Sequence, residues 1–188
     1  MIILLPLRAP LTFTDSMIDK PAIFIDRDNT LTHDHGYTWD IADFAWIDGA
    51  VEALQLFADA GLDIFIVTNQ GGIGRGFFTE ADMHAFHNHL QNELGKAGVT
   101  ITDIAFCPHH PLAVIEDLKT PCACRKPAPG MILDLAEKWA LDLSRSVMIG
   151  DNAKDVEAGH HAGCHAYRFE GGNLATMARH VLQQHFKG

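Results

Sequence analysis

Five short apolar runs, Ala22–Ile25, Leu62–Val67, Ile101–Phe106, Ser146–Ile149 and Cys164–Phe169, alternate along this chain with helix-like stretches at Gly49–Asp59, Thr79–Lys96, Pro129–Leu141 and Ala153–His161. That alternation leaves few options. A strand followed by a helix and another strand builds a parallel sheet, and right-handed crossovers place helices on both of its faces. The expected fold is therefore an α/β three-layer sandwich around a central, mostly parallel five-stranded sheet, with Asn173–Phe186 as a final packing helix. Local signals agree. Thr79 with Asp82 has the spacing of a capping box, and Pro129 stands where a first helical turn tolerates proline. A chain of 188 residues, 47% of them hydrophobic, needs only one core, so residues 20–188 read as a single domain. Residues 1–19 read as an N-terminal extension, with Met17 as an alternative start.

Charge narrows the partners. Twenty-four acidic against fourteen basic residues give a net charge of −10, which argues against nucleic acid or an anionic membrane as the main partner. An anionic substrate would have to be met by local cations. No stretch has the length of a transmembrane helix. Met1–Leu5 is too short for a signal-peptide core, is followed by Pro6, and has its nearest positive charge, Arg8, on the wrong side. The reading is a cytoplasmic monomer acting on a small molecule.

In open parallel sheets ligands bind at the carboxyl ends of the strands, and those ends carry the chemistry here. The first run stops at Asp26-Arg-Asp-Asn-Thr30, placing Asp26 and Asp28 where they can share a cation. A short Asp can attack phosphorus while its neighbour handles the proton. The second run ends at Thr68, Asn69, Gln70 and Gly71, a hydroxyl and a glycine-rich loop whose N–H groups suit an oxyanion. The fourth ends at Gly150-Asp151 with Asp155 four residues on. An Asx turn or a helix cap accounts for each acidic cluster singly. Converging on one edge, however, they repel one another unless a divalent cation neutralises them, and magnesium suits oxygen ligands that also hold phosphate.

Arg125 and Lys126 supply positive charge, the Lys for a transferring phosphoryl group and the Arg for a second anionic part of the substrate. Just before them Cys107, His109, Cys122 and Cys124 offer three thiolates and one imidazole, enough to close a structural zinc site; His110 is the competing imidazole, and Cys164 reads as core. The loop Asp34, His35, Gly36 and Tyr37 follows the first strand closely enough to reach a substrate hydroxyl, a structural turn being the alternative. His84, His87 and His89 lie in one helix and are expected to face solvent; His160 and His161 close another, where a cation suits the dipole.

These residues carry a resemblance. Asp26-Arg-Asp-Asn-Thr30, Thr68-Asn-Gln70, Arg125-Lys-Pro127 and Gly150-Asp151 to Asp155 resemble the four motifs of the haloacid dehalogenase (HAD) superfamily of phosphohydrolases. Asp34-His-Gly-Tyr37, Gly72-Ile-Gly-Arg-Gly76, Cys107-Pro-His-His-Pro111 and Cys122-Ala-Cys124 resemble the group that acts on D-glycero-D-manno-heptose 1,7-bisphosphate, with its histidinol-phosphatase relatives. The resemblance implies a capless Rossmann-like fold with sheet order 5-4-1-2-3, an aspartyl-phosphate mechanism with magnesium, and a zinc loop that shapes substrate access. It further implies Asp26 as nucleophile, Asp28 as general acid and then base, and Thr68 and Lys126 on the phosphoryl oxygens. Magnesium would sit on Asp26, the main-chain carbonyl of Asp28, and Asp151, supported by Asp155. Arg125, Asn69, Gln70, Gly71 and the Asp34–Tyr37 loop would address the sugar or its second phosphate, and the 7-phosphate would be the one removed. Two positions depart from the pattern: Asn29 stands for the usual Gly, and Asn152 for a Lys. Histidinol-phosphate hydrolysis, or that of another small sugar phosphate, is the competing activity. A receiver-like phosphoacceptor module is the competing class, against which Asp28 and the zinc loop speak.

Overall fold

The computed structural model describes residues 20–186. The proposed extension and the alternative start at Met17 lie outside them. Five parallel strands, β1 (Ala22–Ile25), β2 (Asp63–Asn69), β3 (Asp103–Cys107), β4 (Val147–Gly150) and β5 (His165–Arg168), form one sheet in the order β3-β2-β1-β4-β5. This is the expected topology. Six α-helices connect or cover them: α1 (Ala50–Asp59), α2 (Gly71–Gly74), α3 (Glu80–Lys96), α4 (Gly130–Trp139), α5 (Ala153–Ala162) and α6 (Leu174–His185).

The side-chain period of two divides β1 between two cores. Ile23 and Ile25 pack with Leu54 and Phe57 of α1, Leu90 and Leu94 of α3, and Ala178 and Val181 of α6. Ala22 and Phe24 pack on the other side with Met131, Ile132 and Leu135 of α4 and Ala158 of α5. Burial on both faces is why the strand reads as an unbroken apolar run. No helix among the described residues is long and apolar enough to cross a membrane.

Thr79 caps α3 in a capping box with Asp82, as its spacing implies, and Pro129 precedes the first residue of α4. Two details differ from the sequence expectation. β2 continues through Thr68 and Asn69, because β3 pairs alongside it as far as Cys107. The glycine-rich stretch expected as a loop contains the short helix α2, packed so closely that a Cβ on Gly72 would come within 2.2 Å of the Phe78 ring.

Register brings four strand ends to one edge. Ile25 pairs with Ile66 on one side and Ile149 on the other, and the Asp26 N–H extends the ladder by donating to the Ile149 carbonyl at 2.9 Å. Asp26, Thr68, Cys107 and Asp151 thus all stand at or just beyond the carboxyl end of the sheet.

Candidate active site

Asp26, Asp151 and Asp155 converge so that one carboxylate oxygen of each lies within 4.8 Å of the others. Lys126 Nζ sits among them, 2.7 Å from Asp26 Oδ1, from Asp155 Oδ1 and from the Val67 carbonyl. Asp155 reaches this point because Gly150 lacks a side chain; a Cβ there would fall 2.4 Å from that of Asp155. The other Asp155 oxygen accepts from the Asn152 N–H and caps α5, while Oδ1 has the Lys126 ammonium as its ion-pair partner.

The electrostatics of this group are unbalanced. Burial pushes the Asp26 carboxyl up to about 7 against the pull of Lys126, with Asp155 and Asp28 adding to the rise. Burial, then Asp155, raises Asp151 as well. Burial opposes the charge on Lys126, but Asp26 and Asp155 overcome it and hold the ammonium above its ordinary value. Three carboxylates against one ammonium leave two negative charges uncompensated when all are ionised. A divalent cation bound by oxygen fits that deficit.

Asp28 leaves the same strand end in another direction. Its Oδ1 accepts from Arg27 Nε at 2.7 Å and its Oδ2 from Gln70 Nε2 at 2.9 Å, so its carboxylate stands outside the acidic group while still facing the cavity. Asn29 adopts the left-handed φ of 57° that the glycine-like position demands, and its Oδ1 accepts from the Asp34 N–H.

These groups line a cavity of about 270 Å³. Asp26, Asp28 and Asp151 form its floor, with Asp34, Gly36, Tyr37, Gln70, Gly71, Asn69 and Arg125 around it. Thr68 is fully buried beneath, its Oγ1 accepting from Gln70 Nε2 at 2.8 Å. Asn69 is engaged: its amide donates to the Lys126 carbonyl and accepts from the Lys126 N–H, clamping that residue to β2. Arg125 donates from Nη1 to the His109 carbonyl at 2.8 Å, which ties it to the neighbouring loop. His35 is exposed and outside the cavity.

That loop gathers the four expected metal donors. Cys107 Sγ lies 3.6 Å from both His109 Nδ1 and Cys122 Sγ, and Cys124 Sγ lies 3.5 Å and 3.4 Å from the same two atoms. A zinc tetrahedron with bonds of about 2.0–2.3 Å has edges close to these lengths. His110 is placed elsewhere, its Nδ1 accepting from the Leu112 N–H and its ring against Gly71.

One expectation is overturned and several residues are new. His87, expected at the surface, is buried, with Nε2 3.2 Å from Arg27 Nη1; His84 is exposed as expected. His87 lies on the apolar stripe of α3 with Met83, Phe86, Leu90 and Leu94, a spacing that could have revealed its burial. Arg27, the largest fully buried side chain, also escaped notice. Lys154 and Asn152 line the cavity too, although a cation in the first turn of a helix opposes the dipole.

Comparison with known proteins accords with this geometry. Residues 123–183 match the HAD-hydrolase-like family model. The chain is 41% identical over 169 residues to the D-glycero-beta-D-manno-heptose-1,7-bisphosphate 7-phosphatase of Rhodopseudomonas palustris, covering 90% of this chain and 94% of that protein. It is 44% identical over 138 residues to the like-named enzyme of Photorhabdus laumondii, covering 73% of each. Among solved structures, the D,D-heptose 1,7-bisphosphate phosphatase of B. bronchiseptica, complexed with magnesium and phosphate, superposes with a TM-score of 0.79 at 28% identity, covering 87% of this chain and 99% of that one. An acidic, lysine-anchored strand edge within a fold and sequence shared this widely has one assignment: the chain belongs to the HAD-like phosphatases, in the family of the D-glycero-beta-D-manno-heptose-1,7-bisphosphate 7-phosphatases.

Proposed function

We propose that this phosphatase removes the 7-phosphate of D-glycero-D-manno-heptose 1,7-bisphosphate through an aspartyl-phosphate formed on Asp26. The observation that carries the reading is the pairing of two differently supported carboxyl groups at one strand end, Asp26 against Lys126 and Asp28 against Arg27 and Gln70. Asp26 attacks phosphorus and the P–O bond to the sugar breaks; Asp28 gives its proton to the departing oxygen, then takes one from the water that hydrolyses the acyl phosphate. Lys126 and Thr68 hold the phosphoryl oxygens. Asp26, Asp151 and the Asp28 carbonyl, with Asp155 in support, would hold magnesium, which would supply charge neutralisation for the transferring group. Cys107, His109, Cys122 and Cys124 would hold zinc as a structural ion, four protein donors filling a tetrahedral set.

Arg125 sets substrate choice. Its guanidinium has donors to spare beyond the His109 carbonyl, and it lines the cavity where a second phosphate would lie. Asp34, Gly36, Tyr37, Asn69, Gln70 and Gly71 surround the sugar, and His35 would reach it only by a change in the loop. Phosphate release from heptose 1,7-bisphosphate and from histidinol phosphate, each with magnesium, tests the choice. The bisphosphate should show the higher kcat/KM, and the reverse order would replace this substrate with histidinol phosphate.

A further inference from the structure

Arg27 lies between the two working aspartates, yet it does not line the cavity and is only 1% exposed. Four hydrogen bonds occupy all three of its nitrogens. Nε donates to Asp28 Oδ1 at 2.7 Å, Nη1 to His87 Nε2 at 3.2 Å, and Nη2 to the Thr38 carbonyl at 3.2 Å and Gln70 Oε1 at 3.1 Å, with the Phe86 ring 4.7 Å from the guanidinium carbon. Gln70, fixed in this way, turns its own Nε2 to Asp28 Oδ2 and to Thr68 Oγ1. Both oxygens of Asp28 are therefore gripped from behind by one buried assembly that joins the end of β1, the end of β2, the loop at Thr38 and helix α3.

A buried guanidinium is expensive to desolvate, and a salt bridge to a carboxylate that is itself 23% exposed is a weak return on stability alone. Two members of the assembly come from adjacent positions of α3. His87 must present a bare Nε2 lone pair to Arg27, which requires the neutral ring with its proton on Nδ1. Phe86, its neighbour, carries the flat face of the guanidinium.

We infer that Arg27, seated on His87, is a positioning residue for Asp28: it holds the carboxyl at the angle from which a proton reaches the departing sugar oxygen. The inference rests on the proposed role of Asp28 as the proton-transfer group. A lysine could keep the charge but not the fork, since one ammonium cannot reach Asp28, His87, Thr38 and Gln70 in a planar arrangement. The role predicts a dependence on the leaving group. An alkoxide must be protonated as it departs, whereas a nitrophenolate leaves without help.

The experiment measures kcat/KM with magnesium for heptose 1,7-bisphosphate and for p-nitrophenyl phosphate in wild type, Arg27→Lys, His87→Leu, His87→Gln and Asp28→Asn, each checked for folding by circular dichroism. Arg27→Lys should lose about a hundredfold on the sugar ester, the scale of a misplaced catalytic group, and change little on the aryl ester. His87→Leu should show the same selective loss in smaller measure. His87→Gln, whose side-chain carbonyl can still accept from Arg27, should restore the sugar-ester rate. Equal losses on both esters, no rescue by His87→Gln, or a folded Arg27→Lys with an unchanged sugar-ester rate would each overturn the inference. Should Arg27→Lys fail to fold, the two His87 variants decide it. An Asp28→Asn enzyme without the ester difference would place the failure in the proposed role of Asp28 itself, and remove the inference with it.

Discussion

Acid should weaken this fold through one buried imidazole. Burial first, then the Arg27 guanidinium and His84, pull the pKa of His87 from 6.5 down to about 3. Arg27 reaches it from the end of β1 and His84 from its own helix. Asp103 of β3, which shares a small cavity with His87, is already engaged by Lys138 and Trp139. The folded protein keeps the ring neutral where the unfolded chain protonates it. Stability from His87 is therefore complete above pH 6.5 and is lost as the pH falls from there toward the folded value. At 1.4 kcal/mol per pH unit, the loss between about pH 7 and about pH 5 comes to about 2 kcal/mol. Urea unfolding of wild type and His87→Gln across that window isolates the effect, because the remaining histidines and the zinc loop titrate alike in both. The stability difference between the two proteins should shift by about 2 kcal/mol against wild type on acidification. A difference that stays constant across the window would refute the reasoning.

Asp26→Asn should abolish phosphate release with the fold intact, and Asp28→Asn should lower it by about a hundredfold to ten-thousandfold on the sugar ester; near-normal turnover by Asp26→Asn in magnesium would rule out the covalent route. Lys126→Met should destabilise the protein by about 3–5 kcal/mol in denaturant titration, since it leaves Asp26 and Asp155 buried without their cation, and a loss below about 1 kcal/mol would show that the ammonium is not their main counter-charge. Metal analysis of protein purified without chelators should find one equivalent of zinc, lost in Cys122→Ser/Cys124→Ser; full retention by that variant would dismiss the site. Arg125→Ala should weaken heptose bisphosphate by about 1.5–3 kcal/mol while sparing small monophosphates, and zinc removal should reproduce part of that selectivity through the His109 carbonyl; equal losses on both kinds of substrate would deny Arg125 its role.

The central strands were readable because β1 (Ala22–Ile25) and β4 (Val147–Gly150) are buried along their whole length and so are apolar throughout, whereas the edge strand β5 (His165–Arg168) is exposed at both ends. The acidic edge followed from the parallel sheet, which delivers Asp26 and Asp151 to one side; that they meet follows from β1 and β4 being neighbours, an order the sequence conveyed only through the family resemblance. Helix α2 was not readable. Three of its four residues are glycine, and close contacts with Phe78, Tyr37 and the Pro108 carbonyl hold it, not propensity. The partnership of Arg27 with His87 was hidden for a related reason: a charge pair or hydrogen bond across 60 positions leaves no periodic trace, and only the place of His87 on an apolar stripe hinted at burial. Arg125 was legible as a charge near the strand ends and does line the cavity, but its hydrogen bond to a main-chain carbonyl has no side-chain signature to find.

The clamp that Asn69 places on Lys126 separates two design problems within one short stretch of chain. Lys126 is fastened to β2 by both backbone groups and by Nζ on the Val67 carbonyl, only two residues after Cys124. If the proposed zinc closes the loop at Cys107, His109, Cys122 and Cys124, the number of residues between His109 and Cys122 should have little leverage on the ammonium. Insertions or deletions there would instead disturb the cover over α2, where the Val114 N–H meets the Gly74 carbonyl and Leu118 packs beside Ile73 and Phe78. The cover beside the cavity is on this reading modular: it can be rebuilt in length and shape while Lys126 and the acidic group keep their registry.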